Sequence, residues 1–361
     1  MVKKQELYSD LLNISKGSSL YKHAKKILSY LSEENKKISP LLILTHDYPD
    51  PDALASAYAL QYISENFFDI QSKIVYDGII GRMENREMVR ILKLPVRKLR
   101  KTDLKKYSHV ALVDTQPDFQ NNPFPKNKRA RIVLDQHPSV VKPNSDLSII
   151  DTECGATSVV LTAALLMLGV EIPVRLATAL AYGITSDTLN LYRVKQSDVF
   201  NVYSSLLAYC DLRALARIQN PDRSRNFFMT LRKGIETATK YRSLLVSNLG
   251  EVENPDLVSQ VADFLLNYKT AKWTFCTGRY QGKLHMSLRT NIANAQAGEV
   301  LRDICENRGE AGGHSSIAGG SFVVGKSKDE NFWLECEKQL THKLMKRVRI
   351  PLKTVAYYPF K

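Results

Sequence analysis

The sequence predicts an α/β protein of two domains. Three observations carry that prediction. Short apolar runs alternate with helix-period segments through the first half of the chain. The loops after those runs gather acidic and histidine residues. A later pair of alternating segments meets at a tight turn. The apolar runs Leu41–Leu44, Ile74–Tyr76, Val110–Val113 and Ile132–Leu134 read as buried strands. The segment Ala53–Ile63 and residues of about 156–168 and 173–183 read as helices, so the sheet should be mainly parallel. Residues 273–280 and 283–290 alternate around Gln281-Gly282 and read as a hairpin. A helix at 292–307, a glycine-rich loop at 309–320 and a strand at 321–325 complete a smaller α/β unit. Residues 1–38 read as a polar helical extension with a stripe of Leu11, Leu12, Ile27, Leu28 and Leu31. The expected division is 1–38 for the extension, 39–190 for the first domain, 191–250 for a basic helical connection and 251–330 for the second domain. The remainder, 331–361, is a basic helix and tail carrying Lys343, Lys346, Arg347 and Arg349.

Composition narrows the function classes. Hydrophobic residues make up 44% of the 361 and charged residues 24%, the profile of a chain with a sizeable core. No run reaches the roughly 18 apolar residues of a membrane span, and MVKKQELYSD lacks the apolar stretch of a secretory leader. Cys154, Cys210, Cys276, Cys305 and Cys336 form no CxxC pair, which argues against a disulfide framework or zinc knuckle and for a reducing, cytoplasmic setting. The formal net charge of +14 favours a polyanionic partner. Residues 82–106 hold ten Lys/Arg against three acids, and 126–131 add a second basic run; a solvated face is the usual explanation for such runs, and a nucleic-acid path is the alternative.

The chemistry concentrates in a few places. His46-Asp47-Tyr48-Pro49-Asp50-Pro51-Asp52 directly follows the first apolar run, where α/β folds build ligand sites. Asp114 ends the run Val110–Val113, Asp135 and His137 end the run Ile132–Leu134, and Asp187 follows an apolar helix. Each acid alone reads equally well as a helix cap or turn residue. On a parallel sheet, however, successive strand ends converge. A cluster of Asp with one or two His suits hard or borderline divalent ions, manganese or magnesium ahead of zinc. Two such ions are the usual device for activating water against a phosphate ester.

His-x-x-Pro-Asp-x-Asp, then Val-Asp-Thr, then Asp-x-His-Pro, then Ser-Asp-Thr together resemble the ordered motifs of the DHH phosphoesterase superfamily, over roughly residues 38–325. Within it the chain looks most like the bifunctional oligoribonuclease (nano-RNase) and pAp phosphatase proteins. That resemblance implies an N-terminal, mainly parallel DHH catalytic domain, a smaller α/β DHH-associated substrate-binding domain, and a cleft between them. It implies two divalent ions, most readily Mn2+, with Mg2+ or Co2+ also fitting. His46 and Asp50 would hold one ion and Asp52 the other, with Asp114 bridging and Asp187 completing the set. Asp135-Gln136-His137 stands where the family has Asp-His-His, so Gln136 would offer only a neutral amide oxygen to the second ion. Ala55 stands where the family usually has Gly. Asp135 and His137 would serve catalysis, with His137 at the scissile phosphate or in proton transfer. In the second domain, Gly312-Gly313-His314, Arg289 and Ser287 would bind substrate.

Three functions follow from this reading. The first is a manganese-dependent phosphoesterase acting on short oligoribonucleotides, on pAp, or on both. The second has the same chemistry on a cyclic or linear dinucleotide such as c-di-AMP or pApA. The third, motivated by Gln136, is an impaired nucleotide- or RNA-binding protein. The expected partners are short RNA or DNA oligonucleotides or small nucleotides and no membrane; a homodimer is left open.

Overall fold

The computed structural model describes residues 14–361 apart from 140, 195, 293–294, 307–308, 314–315 and 325–328. The chain divides after Pro221 into two compact units. Leu11 and Leu12 of the expected N-terminal stripe lie outside the described residues.

The first unit opens with α1 (Ser19–Ile38), capped by the Ser18 side chain, which accepts from the Tyr21 amide. Its buried stripe is Leu20, Ala24, Ile27, Leu31 and Ile38. Then follow β1 (Leu41–Thr45), α2 (Pro51–Phe67), β2 (Ser72–Tyr76), α3 (Met83–Leu92), β3 (Val96–Lys98), α4 (Asp103–Lys106), β4 (His109–Val113), β5 (Ala130–Asp135) and β6 (Ser145–Ile150). Four helices complete the unit: α5 (Thr157–Met167), α6 (Val174–Asp187), α7 (Ser197–Leu207) and α8 (Leu212–Gln219). The six strands form one parallel sheet in the order β3-β2-β1-β4-β5-β6.

Both faces of this sheet are covered, which explains the unbroken apolar runs. Leu41, Ile43, Ala111, Val113, Ile132 and Leu134 face the larger core, with α1, α2, α5 and α6. Their neighbours Leu42, Leu44, Val110, Leu112 and Val133 pack with Phe124 on the other face. Strands β3 and β6 were not foreseen. Both are edge strands, and their mixed polar sequences Val-Arg-Lys and Ser-Asp-Leu-Ser-Ile-Ile lack the signal of a strand buried on two sides.

The second unit holds α9 (Arg225–Glu236), β7 (Thr239–Tyr241), β8 (Leu244–Glu251), α10 (Asp256–Leu266), β9 (Trp273–Tyr280), β10 (Lys283–Thr290), α11 (Ala297–Cys305), β11 (Glu310–Gly313), β12 (Ile317–Val323) and α12 (Glu330–Arg347). Its mixed sheet runs β11-β12-β10-β9-β8-β7, with only β8 and β9 parallel. The expected hairpin is β9–β10, in full antiparallel register.

Two expectations need correction here. Residues 239–250, read as the end of the helical connection, belong to β7 and β8. Leu244 and Val246 enter one core while Leu245 and Leu249 enter another, an alternation hidden inside a locally helix-like composition. The expected glycine-rich loop 309–320 is largely the pair β11–β12. Its glycines serve close approach: Gly313 has φ +149°, and a Cβ on Gly298 of α11 would lie 2.4 Å from the Gly313 carbonyl oxygen. The helix therefore rests directly on the edge-strand backbone.

Candidate metal centre

The strand order reverses between β1 and β4. The chain winds outward from β1 to β3 and then returns to the other side of β1. At such a switch point the loops leaving the two strands diverge and open a crevice at their carboxyl ends. His46 to Asp52 leave β1 there, Asp114 ends β4, and Asp135 closes the adjacent β5.

Each side chain is aimed by local structure. Asp50 caps α2, accepting from the Ala53 amide at 3.0 Å, with Pro51 as the first helical residue. The His46 Nδ1 donates to the Asp47 carbonyl at 2.7 Å. This turns Nε2 toward Asp114 Oδ2 at 3.5 Å and Asp50 Oδ1 at 3.9 Å. Asp114 adopts the left-handed backbone, φ 58°, with its amide bonded to the Leu134 carbonyl. Asp tolerates that conformation better than most residues, and here it turns the carboxylate into the crevice.

The described residues contain two clusters whose ligand atoms lie within 4.8 Å of one another: His46, Asp50 and Asp114, and Asp114, Asp135 and His137. Asp114 belongs to both. Its side chain is fully buried; Oδ1 accepts from Thr157 Oγ1 at 3.1 Å, and Oδ2, with no hydrogen bond among the described residues, has the His46 ring 3.5 Å away. A buried carboxylate is costly unless a cation meets it, a part that the His46 imidazolium or a metal ion can fill. The donors are carboxylate oxygens and imidazole nitrogens, with no thiolate, which fits a hard or borderline divalent ion.

Electrostatics point the same way. Burial, with Asp114 and Asp50 close by, pushes Asp52 up to about 8. Burial and the charges of Asp50, Asp52 and Asp114 push Asp187 well above the carboxylate range. Desolvation would raise Asp50, but the nearby His46 cation outweighs this and holds it at about 2. Burial disfavours the His46 cation, yet Asp114 and Asp50 keep it protonated well above the usual range. Too many negative charges share this space, and protons relieve them in the absence of a cation.

The other expected site residues divide into three groups. Asp52 is buried and lies outside both clusters; its oxygens accept from the Thr157 and Ser158 amides at 2.7 and 2.8 Å, fastening α5. Gln136 and Asp187 also lie outside both clusters and bond each other, Gln136 Nε2 donating to Asp187 Oδ2 at 2.6 Å. The amide thus turns its donor, not its oxygen, toward that acid. Asp135 is saturated: Oδ1 accepts from the Gln136 and His137 amides and His137 Nδ1 (2.8 Å), and Oδ2 from Gln116 Nε2 (2.7 Å). It orients His137, whose pKa reaches about 9: burial opposes the charge, but the Asp135 bond and Asp114 outweigh it.

In the second unit, Arg289 is 4% exposed. It is ion-paired to Asp263 and donates to the Ala318 carbonyl at 2.9 Å, so its guanidinium braces β10 against α10 and β12. Ser287 is buried and its hydroxyl has no partner among the described residues. Gly312 and Gly313 lie in β11, and His314 lies outside the described residues.

Thr157, Ser158 and Gln116 escaped the sequence reading. Gly155-Ala156-Thr157-Ser158 follows the unrecognised β6, and Gln116 stands two residues after Asp114. Gly183 also escaped it. A Cβ there would lie 3.1 Å from Ala55 Cβ, the Pro51 carbonyl and Ser158 Oγ, so α2, α5 and α6 meet at that point. Ala55, where a glycine was expected, is accommodated because its partner is itself a glycine.

The family model described as the DHH family, N-terminal domain, matches residues 40–184, and the DHHA1 domain model matches 242–332. An uncharacterized protein of Methanocaldococcus jannaschii is 33% identical over 314 residues, which is 85% of this chain; the chain spans only 63% of that protein's length. An exopolyphosphatase-related protein from Bacteroides fragilis superposes with a TM-score of 0.66 at 14% identity, covering 90% of this chain and 98% of that one. RecJ from Thermus thermophilus, in a structure with Mn2+, superposes with a TM-score of 0.53 at 16% identity, covering 91% of this chain and 55% of that one.

Proposed function

We propose that this chain, which carries a DHH-family N-terminal domain at residues 40–184 and a DHHA1 domain at 242–332, is a divalent-metal-dependent phosphoesterase that hydrolyses short oligoribonucleotides, pAp, or both. One observation carries the reading: Asp114, with its side chain fully buried, is common to two ligand clusters at the sheet's switch point. In this proposal His46, Asp50 and Asp114 hold one ion, and Asp114 also reaches toward a second position that Asp52, Gln136 and Asp187, outside both clusters, would complete, while Asp135 and His137 of the second cluster serve proton transfer. The ions supply Lewis acidity toward the phosphate and lower the pKa of water. His137, held by Asp135, exchanges a proton with the attacking water or the leaving oxygen. Manganese is the expected ion; the donor set suits it, and RecJ, which shares the fold, has been seen with Mn2+. The net charge of +14 favours nucleotidic anions.

The purified chain with manganese should turn over at least one of pAp, pApA, c-di-AMP or RNA of two to twenty-four nucleotides. A preference for pApA or c-di-AMP selects the dinucleotide alternative. For the short-substrate reading, kcat/KM should be at least about tenfold higher for a dinucleotide than for a 24-mer at fixed salt, since long-strand binding is salt-dependent. Equal values would favour a processive exonuclease. No turnover on any of them would favour the binding-protein reading, which the Gln136–Asp187 bond also motivates.

Two further outcomes are expected. Manganese at about a hundred times its Kd should stabilise the fold by about 2.7 kcal/mol. That corresponds to a melting-temperature rise of about 5–10 °C for a unit of this size, and an unchanged melt would remove the metal assignment. Gln136→His should lower the manganese concentration for half-maximal activity several-fold, by exchanging an amide for an imidazole beside Asp187. An unchanged titration would mean that Gln136 does not meet the ion.

A further inference from the structure

At the opposite edge of the second sheet from the glycine strand β11 lies a surface that the hydrolytic reading does not use. β7 is the edge strand there, only three residues long. The C-terminal segment folds back onto it, and Tyr357 exchanges both backbone hydrogen bonds with Lys240, at 2.7 and 3.0 Å. Phe360 meets the Tyr268 ring edge-on at 5.2 Å. The Lys240 ammonium lies 5.8 Å from the Tyr268 ring centre and that of Lys361 lies 4.6 Å from Tyr358. These contacts tie the tail, the β7–β8 hairpin and the end of α10 into one surface.

Its composition is unusual in two ways. Tyr357, Tyr358 and Phe360 are 58, 47 and 39% exposed, a concentration of aromatic area in water that a surface without a partner rarely carries. The segments that these contacts join, residues 237–250, 264–272 and 350–361, contain no Asp or Glu but two Lys/Arg each. Arg242, Lys269, Lys353 and Lys361 are exposed.

Exposed aromatic faces amid uncompensated cations suit a ligand that is polyanionic and also presents flat apolar faces. Duplex nucleic acid hides those faces and an acidic peptide has few of them. A single strand offers both along its whole length. We propose that this face binds single-stranded nucleic acid, with Tyr357, Tyr358 and Phe360 stacking on unpaired bases and Arg242, Lys353 and Lys361 meeting backbone phosphates. The surface acts by affinity alone, so a long strand held here need not be cut, and length preference at the metal centre is a separate matter.

The test is fluorescence anisotropy of a labelled (U)20 strand with the full chain in EDTA, so that binding is read whether or not the chain hydrolyses anything. The double variant Tyr357→Ala/Tyr358→Ala should weaken binding about tenfold or more, the scale of losing one or two stacked bases, at unchanged salt slope. Lys353→Gln/Lys361→Gln should reduce the slope of log K against log salt by about 1.4, from about 0.7 per phosphate contact on a single strand. Both variants alter exposed side chains and should keep the parent's melting temperature. Parent-like binding by the aromatic variant overturns the proposal. So does equal affinity for the (A)20·(U)20 duplex, or displacement of (U)20 by anionic phospholipid vesicles at equal phosphate.

Discussion

Replacing Asp114 by Asn is expected to lower manganese-dependent turnover by about a hundred- to a thousandfold or more, the scale on which positioned charged groups act in active sites. The amide keeps an acceptor for Thr157 Oγ1 and fits the same space, so loss of the hydrogen bond or of packing is not the cause. What disappears is the one charge common to both ligand clusters. On the metal-free protein two effects oppose each other. Asp114 is, after burial, the foremost of the influences that raise Asp52 to about 8, and it helps to raise Asp187, but it also holds His46 and His137 in their charged forms. Asp114→Asn removes a repulsion and two attractions together, so the metal-free melting temperature should change little. Near-parental turnover would remove Asp114 from the centre; lost turnover together with a large fall in the metal-free melt would mark it as a folding residue.

His137→Ala is expected to lower kcat by about a hundred- to ten-thousandfold, the range for a general acid–base group, with little change in the manganese titration. Asp135→Asn should cost less, about ten- to a hundredfold, because it acts through the ring it orients. The bond from His137 Nδ1 to Asp135 Oδ1, at 2.8 Å, motivates both values. The double variant separates the roles. If Asp135 works through His137, the pair should lose little more than His137→Ala alone. If Asp135 instead holds an ion, the losses should multiply and the manganese dependence should weaken with Asp135→Asn alone.

Much of this centre was legible because its signal is local. His46, Asp50, Asp114, Asp135 and His137 each stand within five residues of a strand end, and strand ends buried on both faces announce themselves as unbroken apolar runs. The supporting residues were less visible. Thr157 and Ser158 act through amides and a hydroxyl, which any residue or many residues can supply, and the strand before them, β6, is a mixed-polarity edge. Arg289 shows the opposite difficulty. Its position at the end of β10 is what a substrate ligand would have, yet its guanidinium meets Asp263 and Ala318, contacts set by tertiary packing alone. In β7 and β8, alternation between two cores was masked because the surrounding segment is helical and basic.

The strand order has a consequence for how the molecule forms. β1 lies between β2 and β4, so Leu41 pairs with Ser72 on one side and with His109 on the other. β4 in turn must wait for β5, where Ala111 pairs with Ile132. The first cluster therefore joins Asp114 to His46 and Asp50, more than sixty residues away, and no early, local fragment of the chain can gather it, whereas Asp114, Asp135 and His137 come from the neighbouring β4 and β5. Contacts of that range are slow to close. The crowded carboxylates should converge only near the end of the reaction, after most of the sheet has docked. Manganese would then have little to bind in the rate-limiting ensemble. It should leave the refolding rate almost unchanged and act on the reverse step, slowing unfolding by the greater part of its stabilisation.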